Sequence, residues 1–170
     1  NTLVSGLIQL NNNRLIDRDN GAPPTAVFDT LLRQGYNGGN WLGAQPAINS
    51  PYASLTGGSV DGLGMAVAAA AGVTSFGGIT VGGNDLLVGY TLAGDTNLDR
   101  TVNFTDLLTV AQNYNLAGRF WYQGSFDYDE HTGTVSNLHG MLSESMTGDP
   151  NSSAADYGMT WLTLSHQLVT

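Results

Sequence analysis

The sequence predicts an α+β fold that is mostly β. A sheet- or sandwich-like N-terminal part with short helices comes first, followed by two loop–helix units and a C-terminal strand. Three observations carry this expectation. Short apolar runs such as Leu86-Leu87-Val88-Gly89-Tyr90 are cut apart by turn-forming clusters rich in glycine and asparagine. Helical apolar spacing is confined to brief stretches. A loop of oxygen-bearing side chains from Asp95 to Asp106 is entered from a strand and left through a helix. The natural divisions are residues 1–92 (β-rich), 93–146 (paired loop–helix units) and 147–170 (a linker and a strand that completes a sheet of its own or of a neighbouring subunit).

Residues 1–10 form an apolar strand, the triple asparagine at 11–13 a turn, and Arg14 to Asp17 a returning strand, so that the chain opens with a hairpin. Asp17, Asp19 and Asn20 make a small acidic cluster that suits a solvated turn or an ion site. Beyond Pro23-Pro24, Thr25 is placed to cap a helix running through Gln34, with Val27, Phe28, Leu31 and Leu32 on its apolar face and Gly35 at its end. In the glycine-rich stretch that follows, no lysine or helix start supports phosphate binding, and Trp41 is expected as a core anchor. Residues 61–71 are expected to form a short helix over Leu63, Val67, Ala70 and Ala71. Two strands, one from Phe76 and one over Leu86–Leu92, are joined at Gly82-Gly83-Asn84-Asp85, and the second delivers the chain into the acidic loop.

Counted from Asp95 as position 1, ligand-type side chains fall at 3 (Asn97), 5 (Asp99), 9 (Asn103) and 12 (Asp106), with the Thr101 carbonyl at 7. This is the register of a twelve-residue calcium loop, because Ca²⁺ takes six to eight oxygens and alternate residues of a tight loop can converge on it. The alternative is an Asx-rich surface turn. Position 6 normally carries glycine at positive φ; here it is Arg100, at an expected cost of about 1–2 kcal/mol. A helix is expected from Phe104 to about Tyr114.

Asp-x-Asn-x-Asp-x-x-Val-Asn-x-x-Asp followed by a helix resembles a type I dockerin-like repeat, a module of large secreted bacterial proteins. The resemblance spans about residues 26–146, including the Asn-Gly-Gly-Asn-Trp element and the Leu-Val-x-Tyr-Thr strand. Such repeats come in pairs. A degenerate second copy aligns Ser125, Asp127 and Asp129 with the first loop, then inserts Glu130-His131-Thr132 before Thr134 and Ser136, and puts His139 at position 12. The resemblance implies either a weak second calcium site at Ser125, Asp127, Asp129, Thr134 and Ser136, with Glu130 as a substitute ligand, or a metal-free relic that keeps the packing role. It also implies paired helices, the second over 137–146, with Val102 facing Val135.

Fourteen acidic residues against five arginines and no lysine give a net charge of −9, without the basic footprint of a nucleic-acid or anionic-lipid binder. There is no cysteine, and no apolar run reaches the length of a membrane span. Nucleic acid and membrane insertion are therefore not expected. No nucleophile–base motif, zinc motif or phosphate loop occurs, and no enzyme is expected. Two functions remain. One is a secreted, calcium-stabilised structural subunit of an extracellular filament, matrix or surface layer, associating through its terminal strands (residues 1–10 and 157–169). The other is a dockerin-like module that docks on a cohesin-type receptor, although Phe104-Thr105 and Asn137-Leu138 stand where small polar contact pairs are expected. The two termini can also pair with each other within one subunit.

Overall fold

The computed structural model describes residues 6–18, 21–56, 60–126 and 128. Within them the fold is mixed α/β, with short helices and small sheets. Strand β1 (Leu7–Gln9) pairs in parallel with β3 (Ala47–Asn49). Strands β2 (Arg14–Asp17), β7 (Leu86–Leu92) and β4 (Asp61–Val67) form an antiparallel sheet with β7 in the middle. Strands β5 (Ser75–Phe76) and β6 (Ile79–Thr80) form a separate small hairpin.

The opening hairpin of the sequence reading does not form. Asn11 takes a left-handed φ of 54°, and the Leu10 N–H donates to the Asn49 carbonyl at 2.9 Å. The turn thus separates β1 and β2 into different sheets, and Leu7–Gln9 finds its partner in β3 of the same chain. Residues 157–169 lie outside the described residues.

Helix α1 runs over Thr25–Tyr36, two residues beyond its expected end, and Pro24 occupies the N-cap where Thr25 was expected. It stops at Asn37, in the left-handed region at φ 46°, a conformation asparagine tolerates. Gly35 stays inside the helix for a different reason: a Cβ there would lie 1.8 Å from the Ile48 carbonyl oxygen, so glycine is what lets α1 press onto β3. Trp41 is buried, as a core anchor should be, with Tyr36 edge-on at 5.2 Å. A second short helix, α2 (Pro51–Leu55), is capped by the Ser50 hydroxyl, which accepts from the Ala53 N–H.

The helix expected over residues 61–71 is instead strand β4 followed by a turn. Two glycines decide this. Each disfavours a helix by about 1 kcal/mol, and each is needed for close approach. A Cβ on Gly62 would sit 2.4 Å from Trp41, and one on Gly64 would sit 2.4 Å from Trp121. The strand expected from Phe76 is itself the β5–β6 hairpin, turning at Gly77 and Gly78 with φ of 62° and 82°, the positive pair that a two-residue hairpin loop demands. Strand β6 does not pair with β7; Gly82–Asp85 turns the chain, with the Gly82 N–H donating to Asp85 at 2.9 Å.

The buried cluster joins Leu32 of α1, Ile48 of β3, Leu63 and Met65 of β4, and Leu87 and Val88 of β7 to Val110, Trp121, Phe126 and Tyr128. Burying side chains of this size is worth about 1.5–3 kcal/mol each. Helix α3 (Phe104–Asn113) enters this core through Val110, while Phe104 is 75% exposed.

Candidate metal centre

Strand β7 ends at Leu92, Gly94 turns at φ 106°, and Asp95 is carried into the interior with no exposed surface. Its carboxylate gathers donors from three directions. The Thr91 hydroxyl and the Arg100 N–H, the latter at 2.7 Å, donate to Oδ2, and the Asp99 N–H donates to Oδ1 at 3.2 Å. Asn97 Oδ1 also accepts from the Asp99 N–H (3.0 Å), and Asp99 Oδ1 accepts from the Thr101 N–H (2.8 Å). Position 1 therefore binds positions 5 and 6, position 3 binds 5, and position 5 binds 7. The loop is wound by its own side chains into a tight turn.

Its far end is fixed by the start of α3. Asn103 Oδ1 accepts from the Thr105 N–H at 2.8 Å, and Asp106 Oδ2 accepts from the Asn103 N–H at 2.9 Å, a reciprocal capping box. Asp106 also has no exposed surface, and its Oδ1 accepts from both the N–H and the hydroxyl of Thr96 at 2.8 Å. Asp106 thus ties position 12 back to position 2 and closes the ring.

Arg100 does adopt positive φ, at 70°, as the register requires of position 6. Leu98 does so too, at 62°, which the sequence reading did not foresee; its side chain is 5% exposed against the core. Thr91, Thr96 and Trp121 were also missed. Trp121 donates Nε1–H to the Asp95 carbonyl at 2.8 Å, so an aromatic residue 26 positions later holds the loop entrance. Thr91 carries a visible signal, a hydroxyl on the last turn of strand before an acid; Trp121 carries none.

Two fully buried carboxylates meet no basic side chain among the described residues, where the ion pair is Asp29 with Arg33. Burial pushes the Asp95 carboxyl above the ordinary range, and the neighbouring Asp106 and Asp99 push it further, against the hydrogen bonds from Thr91 and Arg100. Charge buried in this way is offset by hydrogen bonds, by protonation or by a cation, and the side-chain and carbonyl oxygens of the loop would suit a hard cation. The residues fit calcium in donor chemistry and in loop trace. They do not form a closed carboxylate cage: no three His, Cys, Asp or Glu side chains among the described residues converge as a metal cluster. The residues that would hold an ion here are Asp95, Asn97, Asp99, Asn103 and Asp106 together with the Thr101 carbonyl.

Of the second loop, Ser125 is described and half-buried beside the buried Phe126; Asp127, Asp129, Thr134 and Ser136 lie outside the described residues, as do 137–146 and Val135. Tyr128 is buried, stacked on Trp121 at 5.5 Å and donating to the Leu63 carbonyl at 2.5 Å. Val102 is 39% exposed. Among the described residues no helix is long and apolar enough to cross a membrane. No protein-family model matches this chain, and no curated protein or solved structure matches it significantly.

Proposed function

We propose that the protein is a non-catalytic, secreted structural subunit, stabilised by calcium in the loop 95–106, that associates with further copies in an extracellular filament, matrix or surface layer. The observation that carries this reading is the pair of fully buried carboxylates, Asp95 and Asp106, closing one loop without a basic partner among the described residues. A divalent cation supplies the missing positive charge and couples ion binding to folding. Segment 157–169 is too apolar to be left in water and supplies an association surface. Segment 1–10 already pairs with β3 of its own chain through Leu7–Gln9 and offers a neighbour only the exposed Leu7 and Ile8. Calorimetric titration with calcium, and light scattering on a sizing column with calcium or EDTA, test both halves. The reading expects one tight site and calcium-dependent particles larger than a monomer. A calcium-indifferent monomer refutes it.

A second reading, a module that docks on a cohesin-type receptor, is favoured by one feature. Helix α3 presents Phe104 (75% exposed) and Leu108 (46%), an apolar pair suited to a protein partner, although Phe104 stands where the dockerin-like pattern has a small polar contact residue. A calcium-loaded monomer that binds a cohesin supports this reading over assembly.

A further inference from the structure

The chain is strongly acidic, yet three of its five arginines, Arg14, Arg18 and Arg100, gather at one place. Arg14 and Arg18 lie two residues either side of Ile16, on one face of β2 and its continuation, and they line a cleft of about 460 Å³ with Phe76 and Ile79 of the β5–β6 hairpin. The Arg14 guanidinium carbon stands 5.5 Å from the centre of the Phe76 ring, and Arg18 donates to the Thr80 carbonyl at 3.1 Å. Arg100 reaches out of the acidic loop to the carbonyl of Asn12, on the cleft rim, at 3.1 Å. None of the three is ion-paired among the described residues.

The cleft is not merely basic. Ile16 is half-buried in its wall and Ile79 is 52% exposed. Among the described residues strand β2 has a neighbour, β7, on one side only, and its other edge offers itself to an added strand. The site therefore offers guanidinium groups, a small apolar surface and a free strand edge, which together fit an extended, carboxylate-bearing peptide.

The chain contains a matching segment. Residues 129–170 carry Asp129, Glu130, Glu144, Asp149 and Asp156 and no arginine or lysine, interleaved with apolar residues such as Met159, Trp161 and Leu164. The described chain ends at Tyr128, which is bonded to Leu63 of β4, the edge of the central sheet opposite β2. We propose that the Arg14–Arg18 cleft receives the acidic segment 129–170 of a second copy of the chain, along the free edge of β2. This rests on the assembly reading and gives it a direction. Donor segment and acceptor cleft are different parts of the chain, so a one-way contact is heterologous and runs on as a filament or closes as a ring, whereas reciprocal exchange between two copies closes as a dimer.

The test uses the full chain. A photo-reactive benzoylphenylalanine replaces Ile79, and this protein is mixed in EDTA with unmodified, ¹⁵N-labelled protein. The mixture is returned to calcium, sized by light scattering, irradiated and digested for mass spectrometry. The proposal expects crosslinks from position 79 to ¹⁵N-labelled peptides of 129–170. Their yield should fall roughly tenfold when Arg14→Gln and Arg18→Gln are combined, as the loss of two exposed ion pairs allows. High salt should lower it as well. Crosslinks to peptides of the same copy, or to labelled peptides elsewhere in the sequence, overturn the proposal. So does a yield that the arginine substitutions leave unchanged in protein that still binds calcium. Calcium-dependent assembly without the expected crosslink rejects this contact and leaves the assembly reading standing; a monomer in calcium rejects both.

Discussion

Replacing Asp95 by asparagine separates an ion-binding loop from an Asx-rich turn. The substitution keeps the shape of a fully buried side chain and removes one negative charge. With its amide oxygen at the Oδ2 position, the asparagine still accepts from Thr91 and Arg100, and what it gives up is the 3.2 Å contact from the Asp99 N–H. In EDTA the loss is small and is countered by relief of a buried charge already crowded by Asp106 and Asp99. The EDTA melting temperature should therefore stay level or rise. In calcium the sign reverses. At a free concentration one hundred times Kd, the ion stabilises the native protein by about 2.7 kcal/mol. Weakening affinity about a hundredfold leaves about 0.4 kcal/mol, a loss of roughly 2.3 kcal/mol. For a chain of this size that corresponds to about 5–9 °C. Scanning calorimetry of both proteins, each in millimolar calcium and in EDTA, reads the difference directly. An equal drop in both solvents would show that Asp95 holds the loop by hydrogen bonds alone, and the calcium argument would fail.

Two further outcomes test the packing around the loop. Gly64→Ala places a Cβ 2.4 Å from Trp121 Nε1 and 2.7 Å from Leu98 Cδ2, so it should destabilise by about 1–3 kcal/mol in urea unfolding. It should also weaken calcium binding, since Trp121 holds the Asp95 carbonyl; an unchanged urea midpoint rejects this geometry. Alkaline titration followed by phenolate absorbance should show late-ionising tyrosines among the seven. Burial, then the Asp61 hydrogen bond, raises Tyr90 to about 12, and burial with Asp29 nearby raises Tyr128 well above 10. Both folded-state values lie above the unfolded one. Their contribution to stability is therefore whole below about pH 10 and is lost as pH rises through the folded-state values. Tyr128→Phe should remove part of the late fraction, and uniform titration near pH 10 contradicts the buried placement.

What the sequence disclosed of this site was its local chemistry. Asn103 and Asp106 are separated by one helical turn and both carry acceptors, so helix start and ligand register coincide and either argument finds them. Arg100 at positive φ followed from counting positions. What stayed hidden depends on partners far along the chain. Residues 61–71 have helical spacing if glycines 62 and 64 are overlooked, and the need for those glycines is set by two tryptophans, one 21 residues before and one 57 residues after. The Asn11–Asn13 turn was legible as a turn. Nothing in it revealed that the strand before it would choose β3 as partner, since that choice is made by α1 carrying the chain back alongside.

Arg100 shows how a locally unfavourable residue can be explained by its reach. A left-handed φ costs a side chain with a Cβ about 1–2 kcal/mol, and glycine in its place avoids that cost. Glycine, however, has nothing to extend to Asn12, whose carbonyl accepts the Arg100 guanidinium across 88 residues of sequence. With Thr91 on β7 holding the Asp95 carboxylate and Trp121 holding its carbonyl, Arg100 is the third strut on the loop, and the one that leads outward to the turn before β2. In the proposed calcium form, winding the loop fixes the Arg100 backbone, the Arg100 side chain fixes Asn12, and Asn12 lies on the rim of the arginine cleft. An ion at one end of this chain of contacts and an acidic segment at the other bias the same arrangement. Any coupling between them is reciprocal by thermodynamic necessity, with each ligand tightening the binding of the other by the same factor. The position where the loop departs from the glycine rule is thus the position where it touches the surface proposed for assembly.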